Sequence, residues 1–257
     1  MSRKARLKTT VSGQSGSPRQ GAEFTMSPKI IVSYDGTANE DDAIALGRLL
    51  GHAGVDVSLA YVRHTHDADR NRETLAQHEA QELLERGAKL LGDPAATRHV
   101  VTDRSTPEGL AALAEREQAD VIVFCSDSHT ARGHVSIGNS AQRLLEGGRT
   151  AVAIAPVDLA ESAAAAGIHR IVAVGDGAGG AMATAQSLAR ALHATVEPVA
   201  NDLADLLIID SRPEAELGRV SLSSSAEHLI EIATCPVLVV PRGGVPGFQE
   251  EPVAVGA

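Results

Sequence analysis

Short apolar runs alternate along the chain with segments whose apolar residues fall three and four apart. Lys29-Ile-Ile-Val-Ser-Tyr34 is a β-rich run, closed by the turn formers Asp35-Gly36-Thr37. Positions 38–52 then place Ala43, Ile44, Leu46, Leu49 and Leu50 on one side of a helix. Val55–Val62 predicts a second strand, 67–91 a long charged helix carrying Leu75, Leu83, Leu84 and Leu90, and Arg98–Thr102 a short third strand. Ser105-Thr-Pro-Glu108 opens a further helix, with a Ser or Thr cap and proline in the first turn. Ala119–Cys125 is a continuous apolar strand, 139–147 a helix, and Thr150–Ala155 a last strand. Strands that are apolar throughout, rather than alternating, are those covered on both sides. The pattern predicts an α/β fold with a doubly wound parallel sheet between two helical layers.

The pattern then repeats. Ala119-Asp-Val-Ile-Val-Phe-Cys-Ser126 returns as Ala204-Asp-Leu-Leu-Ile-Ile-Asp-Ser211. Val135–Glu146 returns as Val220–Glu231, and Ala151–Pro156 as Pro236–Pro241, all at an offset of 85. The opening strand, Ile30–Gly36, returns as Ile171–Gly177 at an offset of 141. The offset falls from 141 to 85 between the first strand and the later ones, so the second copy has lost that difference from its middle. The lost part corresponds to the charged helix, the third strand and the helix after it. The expected organisation is a disordered tail over 1–27, a first domain over 28–156, an Ala-rich linker over 157–168, a truncated second domain over 169–242 and a flexible tail over 243–257. Within the second domain a helix is expected near Met182–His193 and a strand near Val196.

Composition narrows the function classes. Of 257 residues, 43% are hydrophobic and 22% charged, enough for a sizeable core. With 23 Lys and Arg against 33 Asp and Glu, the net charge is −10. The leader over 1–25 carries +4, so the rest carries −14. That balance argues against a nucleic-acid or anionic-membrane partner, and aromatics at 2% leave no base-stacking platform. The basic leader is read as an inert tail rather than a nucleic-acid arm, and Met26 is a plausible alternative start. Cys125 and Cys235 form no disulfide framework, and no apolar run approaches a membrane span or a signal h-region. A cytoplasmic location is expected.

With these residues in place, the chain resembles the universal stress protein family over 28–156 and, with the deletion, over 169–241. That family is identified by an Asp ending strand one and a downstream Gly, two residues, Gly, nine residues, Gly, then Ser or Thr. The resemblance implies two tandem domains like the adenine nucleotide alpha hydrolases, with strand order 3-2-1-4-5. It also implies pairing of the lobes through Ala151–Ala155 and Pro236–Val240 about a pseudo-twofold axis, an intramolecular pseudo-dimer that leaves room for a homodimer. The implied ligand is ATP, with Mg, or another adenine nucleotide. The implied nucleotide site is Ser33, Tyr34 and Asp35 after strand one, Val62 facing adenine, and Cys125, Ser128, Gly138, Asn139, Ser140 and Ala141 around the phosphates. Cys125 and Ser128 stand where the family has glycine, and Asn139 where it has Ser or Thr. Their Cβ atoms crowd the backbone approach that glycine allows, and Asp127 repels phosphate, while a helix start and His129, Arg132 and His134 favour it. In the second domain Asp176 keeps the adenine-side position, but Asp210, Pro213, Ser223 and Ser224 occupy the loop positions, and no nucleotide is expected there.

Plainer roles compete for several of these residues. Asn139 with Gln142 and Ser224 with Glu227 have capping-box spacing, and Asp35 could cap the helix at 38. Cys125 reads as a small core residue rather than a redox sensor. His64-Thr-His66-Asp67 lacks a clear third metal ligand, so no metal is assigned. Gly175–Gly180 maps onto Asp35-Gly-Thr rather than a dinucleotide loop. With no nucleophile and base at a known spacing, no enzyme is expected, and the resemblance implies a stress-linked regulatory binding module. The rivals are a slow ATP hydrolase and a nucleotide-independent module for an unnamed protein partner.

Overall fold

A computed structural model of the chain describes residues 28–37, 39–64, 69–175, 180–197 and 204–248. The expected tail over 1–27 and the end of the chain, 249–257, lie outside them. The elements follow the sequence pattern closely: β1 (Lys29–Ser33), α1 (Glu40–Gly51), β2 (Asp56–Arg63), α2 (Arg70–Leu91), β3 (Arg98–Thr102), α3 (Thr106–Glu117), β4 (Val121–Cys125), α4 (Asn139–Leu145) and β5 (Ala151–Ala155). After a 3-10 turn at Ala163–Ala166 come β6 (Arg170–Val174), α5 (Gly180–Leu192), β7 (Thr195–Glu197), β8 (Leu206–Asp210), α6 (Ser224–Ile232) and β9 (Val237–Val240).

All these strands join one sheet in the order β3-β2-β1-β4-β5-β9-β8-β6-β7. The first five give the expected 3-2-1-4-5 order, all parallel. Beyond β5 the order runs backwards through a four-stranded copy, also parallel within itself. The seam between the copies is antiparallel, β5 on β9, with Ala153 opposite Leu238. Between described residues of the second copy, β7 is followed by β8, with no counterpart of α2, β3 or α3. The two sheet faces make two cores. One gathers Ile30, Val32, Leu46, Leu84 and Leu188 under α1, α2 and α5. The other gathers Ile31, Leu110, Leu144 and Ile230 under α3, α4 and α6. Side chains alternate between them along each strand, so every strand residue needs an apolar neighbour on one side.

The duplication extends to single hydrogen bonds. Val135 N–H donates to Ala233 C=O at 3.2 Å, and Val220 N–H donates to Gly148 C=O at 2.8 Å. These two bonds are related by the offset of 85, and each ties a loop of one lobe to the other lobe. Gly133 and Gly218, at the same offset, both sit at φ 74° in the left-handed region that glycine enters without strain.

Four helix ends bear on the capping expectations. The N-caps of α4 and α6 are Gly138 and Ser223, one position before the Asn139 and Ser224 expected from capping-box spacing. Ser223 wins because its hydroxyl, at an extended backbone position, accepts the Ala226 N–H at 3.2 Å. Ser105 stands at the N-cap of α3, but its hydroxyl makes no cap bond; its own N–H goes to Asp103 at 3.0 Å. Nor does Asp35 cap α1, whose N-cap is Asn39 in the left-handed region. Part of the segment expected as a flexible tail, 243–248, lies against α5. Phe248 is 3% exposed, and its C=O accepts the Ser187 hydroxyl of α5. The linker is anchored in a similar way in the first lobe: Asp158 and Ala160 donate their N–H groups to the Asp42 carboxylate of α1, at 2.9 and 2.8 Å.

Candidate functional site

A doubly wound sheet opens a crevice where successive crossovers diverge to opposite faces, at the carboxyl ends of the central strands. Here that point lies between β1 and β4, and the residues expected to bind gather around it. Ser33 ends β1 half-buried, and Asp35 follows it, exposed. The Asp35 carboxylate accepts the Thr37 N–H at 2.9 Å, a local turn that fixes its direction. Gly36, at φ 76°, passes so close to Leu83 of α2 that a Cβ there would lie 2.5 Å from its methyl. The rung from Tyr34 N–H to Ala60 C=O is 2.8 Å long. Further along β2, Val62 turns its backbone to the same side, past the end of β1. The backbone of Val62 therefore faces the crevice while its side chain is buried in the core.

Two expected site residues place their side chains elsewhere. Tyr34 is 5% exposed and packs against α2, where a Cβ on Gly87 would meet its ring at 3.0 Å. Ala141 is 1% exposed in the opposite core. Only their backbones are available to a ligand.

On the β4 side, Cys125 ends the strand half-buried, Ser128 is exposed at a turn, and Gly138 precedes Asn139 and Ser140 at the start of α4. Gly138 has ordinary backbone angles and open space around it, so glycine is not required there by this conformation. The loop between is braced from within. Ser126 Oγ donates to Ala155 C=O at 2.6 Å and accepts Ser136 N–H at 3.1 Å. Asp127 N–H goes to Ser136 Oγ, His129 N–H to the Asp127 carboxylate at 2.9 Å, Thr130 N–H to Asp127 C=O and Gly133 N–H to Val157 C=O. In the second lobe Ser211 donates to Val240 C=O and accepts Ser221 N–H, the same clasp at the same offset.

One residue in the crevice escaped sequence reasoning. Glu40 is 7% exposed, and its carboxyl accepts the Asp35 N–H, holding the β1–α1 turn. Burial, and next the Asp35 charge, push its pKa up to about 8. The same surroundings act on Cys125, whose thiol is pushed up to about 12 by burial first and then by Glu40 and Asp35. Cys125 is therefore a protonated core thiol at neutral pH. The signal for Glu40 was only the acidic run Glu40-Asp-Asp42, which reads as an ordinary acidic first turn.

The second lobe closes the equivalent point. Asp210 ends β8 at 9% exposure, and its carboxylate accepts the Ala181 N–H of α5 at 2.7 Å. A Cβ on Gly175 would lie 2.0 Å from that carboxylate, so the space is filled. Asp176 lies outside the described residues, as do His66 and Asp67. His64 is exposed, 3.4 Å from Thr106. Among the described residues no helix is long and apolar enough to cross a membrane, and no group of three His, Cys, Asp or Glu is placed to hold a metal ion.

Three solved structures share the architecture. A Pseudomonas aeruginosa UCBPP-PA14 protein assigned provisionally to the universal stress proteins matches with TM-score 0.56 at 14% identity, over 84% of this chain and 94% of its own. A functionally unknown protein of P. aeruginosa PAO1 matches with TM-score 0.53 at 14% identity, over 84% and 93%. A universal stress protein from Archaeoglobus fulgidus DSM 4304 matches with TM-score 0.51 at 15% identity, over 84% and 98%. No curated protein matches the sequence. The model of the universal stress protein family matches twice, over residues 26–156 and 158–241. Two such matches in one chain, over the two halves of a continuous sheet, make this a tandem-domain member of the universal stress protein family.

Proposed function

We propose that the chain is a stress-linked regulatory module whose first lobe takes one adenine nucleotide at the β1/β4 crevice, while the second lobe is its closed structural partner. The observation that carries this is the asymmetry of the two switch points. In the first, Asp35 and Ser128 are exposed and the Val62 backbone lies past the end of β1. In the second, the Asp210 carboxylate already occupies the N-terminus of α5. An adenine would meet the Val62 backbone, and the ribose hydroxyls would donate to the exposed Asp35. Ser128, Asn139 and Ser140 would contact phosphate; Mg, when bound with ATP, would offset part of the phosphate charge. The module in this reading signals by binding rather than turnover.

Calorimetric titration with AMP and with MgATP tests this. One site per chain is expected for whichever binds, weakened at least about tenfold in Asp35→Ala. Two sites per chain, or binding indifferent to Asp35, would overturn the proposal. A second reading, a nucleotide-independent interaction module, is favoured by the carboxyl-rich crevice and by a separate cleft of about 450 Å³ between the lobes, walled by Pro156, Val157, Leu159, Cys235 and Pro236. Unchanged thermal stability at saturating nucleotide would select it, because a ligand of the native state alone must raise stability.

A further inference from the structure

We infer that the first-lobe crevice prefers the low-charge end of the adenosine series, adenosine and AMP, over ADP and ATP. This rests on the nucleotide reading above and names the ligand class within it.

A polyphosphate is held by backbone N–H groups that converge on it, or by fixed cations. Several backbone donors of the β4–α4 loop are already bonded within the protein. The N–H groups of Asp127, His129, Thr130, Gly133 and Ser136 are taken by Ser136, Asp127, Asp127, Val157 and Ser126. Val135 N–H crosses to Ala233 of the other lobe. Turning these groups toward phosphate would break the Ser126 clasp and the bond between lobes, both of which recur in the second copy as structural features. The loop's arginine, Arg132, is already bonded to Asp158 and 3.6 Å from Glu161. Charge points the same way. Asp35 and Asp127 are exposed at the rim. Each added phosphate brings further negative charge toward these carboxylates, while adenine and ribose bring hydrogen-bond donors that carboxylates accept. Cys125 and Ser128 add Cβ atoms on the phosphate side and leave the Val62 side untouched.

The test is one calorimetric series on the full chain with adenosine, AMP, ADP and ATP, repeated on the double variant Cys125→Gly, Ser128→Gly. In the wild type, adenosine or AMP should bind at least about tenfold more tightly than ATP. The glycine variant should narrow that ratio. ATP binding as tightly as AMP, or more tightly, overturns this inference and leaves the nucleotide reading standing. No heat from any of the four overturns both.

Discussion

Glu40 couples the crevice to pH. Its carboxyl titrates at about 8 in the folded chain, against 4.5 for an ordinary glutamate, chiefly because it is buried. Between those values the unfolded chain loses a proton that the folded chain keeps. Stability therefore falls as pH rises from about 4.5 to about 8, and this contribution is flat above that. The size is on the order of a few kcal/mol. Asp42, raised by burial first, adds a slope of the same sign. Glu40→Gln keeps an acceptor for the Asp35 N–H and removes the titration. Urea unfolding at pH 5, 7 and 8.5 should show a shallower fall for the variant; parallel curves would refute a buried, protonated Glu40. At this scale the sequence was legible where chemistry is local. Asp35 and Val62 stand at strand ends, and a strand end can be read from pattern. Glu40 could not be read, because whether a first-turn acid faces water or folds back beneath its own loop depends on a contact the chain makes only once α1 has packed.

Elements are held by few side chains at their ends, and Asp42 is one of them. From α1 it takes two N–H groups of the interlobe connection, at Asp158 and Ala160. Removing it leaves two part-buried donors without their acceptor. Asp42→Ala is expected to cost about 1–3 kcal/mol and to speed amide exchange at Asp158 and Ala160 before it does so in β5. Uniform loss of protection would assign Asp42 to the global core instead. Strand and helix identities followed from periodicity, since buried parallel strands leave no other pattern for Ala119–Cys125 or Ala151–Ala155. The N-caps, not the helices, slipped by one position at α4 and α6. In Ser223-Ser-Ser225 three hydroxyls compete for the cap, and backbone angle, which composition does not encode, selects the first.

The whole molecule is one sheet, and the bonds from Val135 and Val220 cross its seam in both directions. The lobes share their cores: β5 is buried throughout and pairs with β9 across the seam. Calorimetric heating should give one transition with equal calorimetric and van't Hoff enthalpies. Two transitions would show the lobes to be independent. The tandem plan was legible because the offset of 85 persists without a gap across three elements, and hydrogen bonds such as Ser126–Ser136 and Ser211–Ser221 obey it. The docking of 243–248 was not, because Gly, Pro and Val there show no period, and Phe248 is a single anchor. The antiparallel seam has a consequence for synthesis. On the ribosome the first lobe is complete in sequence at Ala155, yet its last strand stays a bare apolar edge until Val237 emerges. At about 5–20 residues per second, the chain between them takes roughly 4 to 16 s to make, and meanwhile a nascent chain can pair wrongly with its neighbour on the same message. Polysome crowding is thus a hazard built into the order in which this sheet is written.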